Sequence, residues 1–116
     1  MGDVRGLNPE LWLLVGNLTY ASGVPAITSG KGFTITDDGT GLFSVVTNFP
    51  WKAAWPTAIR KCALAVGGNV ELVGEPDPAN RKVSFRILGD ADSAEDPADG
   101  DGVIFQIAYQ KVGLPA

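Results

Sequence analysis

Apolar and polar residues alternate with a period of two along much of the chain, the spacing of strands with one buried face. In KGFTITD, Phe33 and Ile35 share a face opposite Thr34 and Thr36. The turn DDGTG leads into LFSVVT, where Phe43 and Val45 alternate with Ser44 and Val46, so the two runs predict a hairpin. TAIRKCALAV (57–66) places Cys62, Leu64 and Val66 together, and after the Gly67-Gly68-Asn69 turn Val70 and Leu72 share a side. KVSFRIL sets Val83, Phe85 and Ile87 inward, and VIFQIAY does the same with Val103, Phe105, Ile107 and Tyr109. ELWLLVGNLTY differs: Leu11 to Val15 are apolar on both faces, and such a strand needs cover on both sides. In a domain this small, one cover is expected to come from another subunit.

No segment holds a helical period over three turns, because Pro or Gly interrupts nearly every candidate. Seven short strands separated by turn residues predict an all-β fold, an antiparallel β-sandwich or jelly roll, over residues 10–116. Residues 1–9 (MGDVRGLNP) predict an extended N-terminal arm, since both glycines and Pro9 oppose a helix and little there builds a core.

Composition narrows the function classes. A chain of 116 residues suits one domain with a modest core. There is no histidine, which removes Ser-His and Cys-His nucleophile activation and the usual zinc sites. The single Cys62 cannot form an internal disulfide and reads as a small buried thiol. Leu11 to Val15 are too few to span a membrane. The net charge is −4, with Asp90, Asp92, Glu95, Asp96, Asp99 and Asp101 crowded into one stretch. The remaining cations include the pairs Arg60-Lys61 and Arg81-Lys82, read as solvent-facing, which make no stripe for nucleic acid.

Three candidate sites remain. DADSAEDPADGDG (90–102) breaks the EF-hand register: counting from Asp90, position 5 is Ala94 and position 6 is Glu95 where glycine is needed. An irregular cage of Asp96, Asp99 and Asp101 stays open beside the plainer reading, an acidic hairpin loop joining strands 82–88 and 103–111. Paired carboxylates also suit glycoside hydrolysis, but acids in a Gly/Pro loop lack the burial that separates their pKa values, so no enzyme is expected. NFPWKAAWPTA (48–58) reads as a loop holding Phe49, Trp51 and Trp55 between Pro50 and Pro56. Exposed, these rings would anchor a protein or stack on a sugar; otherwise they plug one end of the core. Trp51 is the preferred interface residue. Leu11, Trp12 and Leu13 serve either the core or a subunit contact.

The residues Gly32-Phe33, Gly39-Thr40-Gly41, Phe43, Phe49-Pro50, Phe85-x-Ile87, Pro97-Ala98-Asp99 and Phe105-x-Ile107-Ala108 carry a resemblance. Over residues 30–110 the chain resembles small β-sandwich proteins of tailed-phage virions. The resemblance implies a non-enzymatic head decoration (cement) protein, homotrimeric, made in the host cytoplasm and placed on the capsid surface. Its implied partners are the major capsid protein and itself, with no cofactor, nucleic acid or membrane. A receptor- or carbohydrate-binding module of a tail fibre is the alternative.

Overall fold

A computed structural model describes residues 11–62, 68–89 and 93–111. Among them, two four-stranded antiparallel sheets pack face to face as a β-sandwich. The first sheet has the order β2 (Val24–Ser29), β1 (Leu11–Ala21), β8 (Gly102–Lys111), β5 (Trp51–Lys61). The second runs β3 (Phe33–Gly39), β4 (Leu42–Thr47), β7 (Lys82–Ile87), β6 (Val70–Leu72). Three hairpins, β1–β2, β3–β4 and β6–β7, stay within a sheet, and the other connections cross between sheets. The predicted arm (1–9), together with Leu64 and Val66 of the predicted strand 57–66, lies outside the described residues.

The period-two positions of β4, β7 and β8 form the core as their spacing predicts, and alternate residues of β1 join them. Leu14, Leu18 and Tyr20 of β1 and Val103, Phe105, Ile107 and Tyr109 of β8 face Phe43 and Val45 of β4 and Val83, Phe85 and Ile87 of β7. Gly16 stands opposite Phe105 in the β1–β8 ladder, where a Cβ would lie 2.3 Å from the Phe105 Cζ. The missing side chain lets the Phe105 ring lie across β1 and meet Phe33 edge-on at 5.3 Å.

The order differs from the sequence expectation at four places. β2 makes an eighth strand; as an edge strand with little burial it has no period-two signature. β5 begins at Trp51, so residues 51–56 are strand and not loop. Pro56 lies inside this strand, which is tolerated because β5 is an edge strand and has no outer neighbour to require that N–H. The stretch before β8 is not a hairpin loop, because β7 and β8 belong to different sheets and residues 93–101 cross between them. Arg60 does not face solvent: its side chain is 7% exposed, and its Nη1 donates to the Leu88 carbonyl at 3.0 Å and pairs with Glu95 at 3.2 Å. Cys62 is half-buried.

Tyr20 and Tyr109, the chain's two tyrosines, both bury hydroxyls that have no hydrogen-bond partner. Burial raises both phenols above the ordinary range, and for Tyr20 the carboxylates of Asp96 and Asp37 push the same way. The protonated forms are therefore favoured in the fold. The corresponding stability is fully present below the unfolded phenol value of about 10 and is lost as pH rises above it. Phenolate absorbance is expected to stay low in the folded protein and to rise in one step with unfolding. A phenolate signal that precedes the loss of tertiary structure would show that one hydroxyl reaches water.

Candidate protein-interaction surface

The two sheets differ on their outer faces. On the second sheet the outer side chains include Thr34, Thr36, Ser84 and the pair Arg86–Glu71. Ser44 donates to Asp38 and lies 3.0 Å from the Ser84 hydroxyl. That face is hydrogen-bonded and polar, as a solvated sheet face should be.

On the first sheet the outer face carries many exposed apolar side chains, interleaved with Asn17, Thr57 and Gln106. Ala54 and Ala58 pack on the core, so Trp55, Thr57 and Ile59 of β5 point outward. Residues 104, 106, 108 and 110 of β8 and 11, 13, 15 and 17 of β1 do the same by alternation. The register aligns them in transverse rows: Leu13–Ala108–Trp55, then Val15–Gln106–Thr57, then Asn17–Ile104–Ile59. Leu13 is 61% exposed, Trp55 56% and Ile59 63%, with Val15 and Val24 also open. Single exposed apolar side chains are ordinary, but a contiguous cluster on one sheet marks a binding surface. At one end the cluster stops at Lys61, whose Nζ donates to Asn17 Oδ1 at 2.7 Å and Thr19 Oγ1 at 2.9 Å.

The sequence-predicted residues separate across this geometry. Leu13 and Trp55 come together on the outer face in one row, and Leu11 is half-buried at its edge. Trp12 turns to the inner side at the end of the sandwich, 39% exposed. It meets Phe49 edge-on at 4.6 Å and carries the Lys111 Nζ over its ring at 4.8 Å. Trp51 is corrected. It is 2% exposed, packs on Tyr109 at 5.1 Å, and donates its indole N–H to Thr47 Oγ1 at 3.0 Å. Residues 51 and 55 would share a face in an unbroken strand, but the register shift between Trp51 and Ala53 reverses the alternation, sending Trp51 inward and Trp55 outward; read as a loop, the segment gave no reason to separate them. Val15 and Ile59 were missed as surface residues. Both were legible: Val15 in the doubly apolar run, and Ile59 in its position opposite Cys62, Leu64 and Val66 along the predicted strand 57–66.

Asp90 and Asp92 of the acidic stretch lie outside the described residues, and two of its other carboxylates are committed to the fold. Asp96 Oδ1 accepts the Gly41 N–H at 2.7 Å and Asp99 Oδ1 accepts the Ser22 N–H at 2.8 Å, tying this crossing to two turns of the sandwich. Among the described residues no group of three or more His, Cys, Asp or Glu side chains is placed to hold a metal ion. Comparison of the chain with protein-family models, curated proteins and solved structures finds no match.

Proposed function

We propose that this protein is a structural component of a larger assembly, and specifically a phage head decoration protein that bridges and stabilises major capsid subunits. One observation carries the assembly role: the apolar row surface on the β2-β1-β8-β5 sheet, set against the polar outer face of the opposite sheet. Burying such a surface supplies association free energy at roughly 25 cal/mol per Å² before the cost of ordering. Repetition over a symmetric shell multiplies a modest contact into high avidity. The capsid as the partner rests on the resemblance of residues 30–110. Virions should carry the chain in stoichiometric proportion to the capsid protein, and particles lacking it should burst at lower temperature and regain stability when it is added back. A trace amount per particle, or unchanged particle stability without it, would refute the decoration role.

Trp55 favours a second reading, since an exposed indole on a flat sheet is a stacking platform for sugars. Glycan binding that disappears in Trp55→Ala would move the assignment to a tail-fibre module.

A further inference from the structure

We infer that the open edge of β1, from Leu11 to Val15, takes up an extended segment of another protein as an added strand, one with alternating apolar residues and a carboxylate. The inference goes beyond the capsid reading, because it concerns the edge of the sheet and not its outer face.

The ladder leaves that edge open. β2 pairs with β1 only from Asn17 to Ala21, while β8 runs beside β1 from Leu11 to Thr19. Among the described residues no strand pairs with Leu11 to Val15 on the side away from β8. In an antiparallel ladder the N–H and C=O of one residue point to one side, and those of the next residue to the other. The Tyr20 N–H donates to the Asp101 carbonyl at 2.8 Å, and the Tyr20 carbonyl accepts the Gly100 N–H at 2.9 Å, both on the β8 side. The β1–β8 register is unbroken, so the even residues of β1 face β8. Leu11, Leu13 and Val15 therefore aim their backbone groups at the open side. Gly30 marks where the opening ends: a Cβ there would lie 2.7 Å from the Val15 carbonyl oxygen. The free stretch is about 14 Å long, four residue rises of about 3.4 Å.

The other sheet edges are guarded and this one is not. β2 carries Pro25 and β5 carries Pro56. In the second sheet β3 carries Asp37 and Asp38, and β6 is only 3 residues long. Proline, charge and shortness all discourage strand addition. Leu11 to Val15 have neither proline nor charge.

A groove beside the edge sets the chemistry of the occupant. Its volume is about 400 Å³, and Trp12, Leu13, Leu14, Val15, Lys31 and Phe49 line it. Alternate side chains of an added strand enter this groove, where the Trp12 and Phe49 rings meet edge-on, so apolar residues suit those positions. The groove is positive although the chain carries a net −4. Lys31 is exposed on its wall, Lys111 holds its Nζ over the Trp12 ring, and no acid lines it among the described residues. A carboxylate on the occupant is thereby favoured over an ammonium group. Main-chain bonds to Leu11 and Leu13 supply the affinity, and the groove selects the sequence.

The test uses the intact chain and a capped hexapeptide that alternates valine and threonine and ends in glutamate, read by amide hydrogen exchange. In the chain alone the Leu13 amide should exchange fast. With peptide at about 100 times its Kd, that amide should slow about a hundredfold. The Leu14 amide, which faces β8, should keep its rate. The same peptide N-methylated throughout has no donors for a ladder and should leave Leu13 fast. Lys31→Glu should weaken binding about fivefold or more with unchanged circular dichroism, and Lys52→Glu, exposed on β5, should not. Absence of binding, equal binding of the N-methylated peptide, or equal losses at Lys31 and Lys52 overturns the proposal. So does a Leu13 amide that is slow in the chain alone. If deleting residues 2–9 makes it fast, the edge belongs to this chain's own N-terminal segment; if dilution does, it belongs to a second copy. A chain absent from virions that still takes up the peptide would refute the capsid reading and leave the strand addition standing.

Discussion

Trp51→Ala is expected to destabilise the sandwich by about 3–5 kcal/mol, the range for deleting a buried aromatic side chain. For a domain whose whole stability is about 5–15 kcal/mol, this approaches unfolding. The ring lies against Tyr109, and its N–H is one link in a chain in which Thr47 Oγ1 in turn donates to the Phe49 carbonyl at 2.7 Å. Alanine would leave a cavity and cut that chain. Trp51→Phe keeps most of the volume and loses only the N–H, so about 1–2 kcal/mol should be lost from the unmade hydrogen bond and imperfect fit. Trp55→Ala, four residues along the same strand, should stay within about 0.5 kcal/mol when measured on the monomer. Urea unfolding of the three variants checks the ranking. Equal losses at Trp51 and Trp55 would contradict the inward and outward assignment of β5.

Gly41→Ala is the second large effect, expected to cost about 2–4 kcal/mol from left-handed backbone strain and steric overlap together. Gly41 has φ +69° at the β3–β4 turn, a conformation that a Cβ opposes. The added carbon would also lie 2.7 Å from the Glu95 nitrogen and 2.9 Å from the Ile87 oxygen, both backbone atoms that cannot swing aside. The position is crowded because three segments meet there. The Gly41 carbonyl accepts the Ile87 N–H at 2.7 Å, Asp96 accepts the Gly41 N–H, and the Glu95 N–H donates to the Ile87 carbonyl at 3.0 Å. Thr40→Ala, exposed on the same turn, serves as the control and should change little. Retention of full stability in Gly41→Ala would mean that the acidic crossing is not clamped to the hairpin.

The clamp also explains why the acidic stretch resisted a reading from sequence. A dense run of Asp and Glu invites a metal cage, yet two of its carboxylates are used as acceptors for backbone N–H groups. The part-buried Asp96 acceptor contributes more, about 1.5–3 kcal/mol, than the solvent-exposed Asp99 acceptor. Which N–H they meet depends on loops far away in the chain: Ser22 lies 77 residues from Asp99, and Gly41 lies 55 from Asp96. No local pattern encodes that pairing.

Sequence alone determined the all-β class, the β3–β4 hairpin and the inward residues of β4, β7 and β8, because a strand with one buried face repeats every two residues whatever surrounds it. It also showed that Leu11 to Val15 exceed what one core can cover. The tertiary structure decided the rest. Edge strands such as β2 bury too little to leave a periodic mark. The strand character of residues 51–56 depends on β8 lying alongside, which overrides the turn signal of Pro50 and Pro56. The apolar outer face exists only because β1 and β5, far apart in sequence, flank β8 in one register and bring Leu13, Val15, Trp55 and Ile59 onto a single surface.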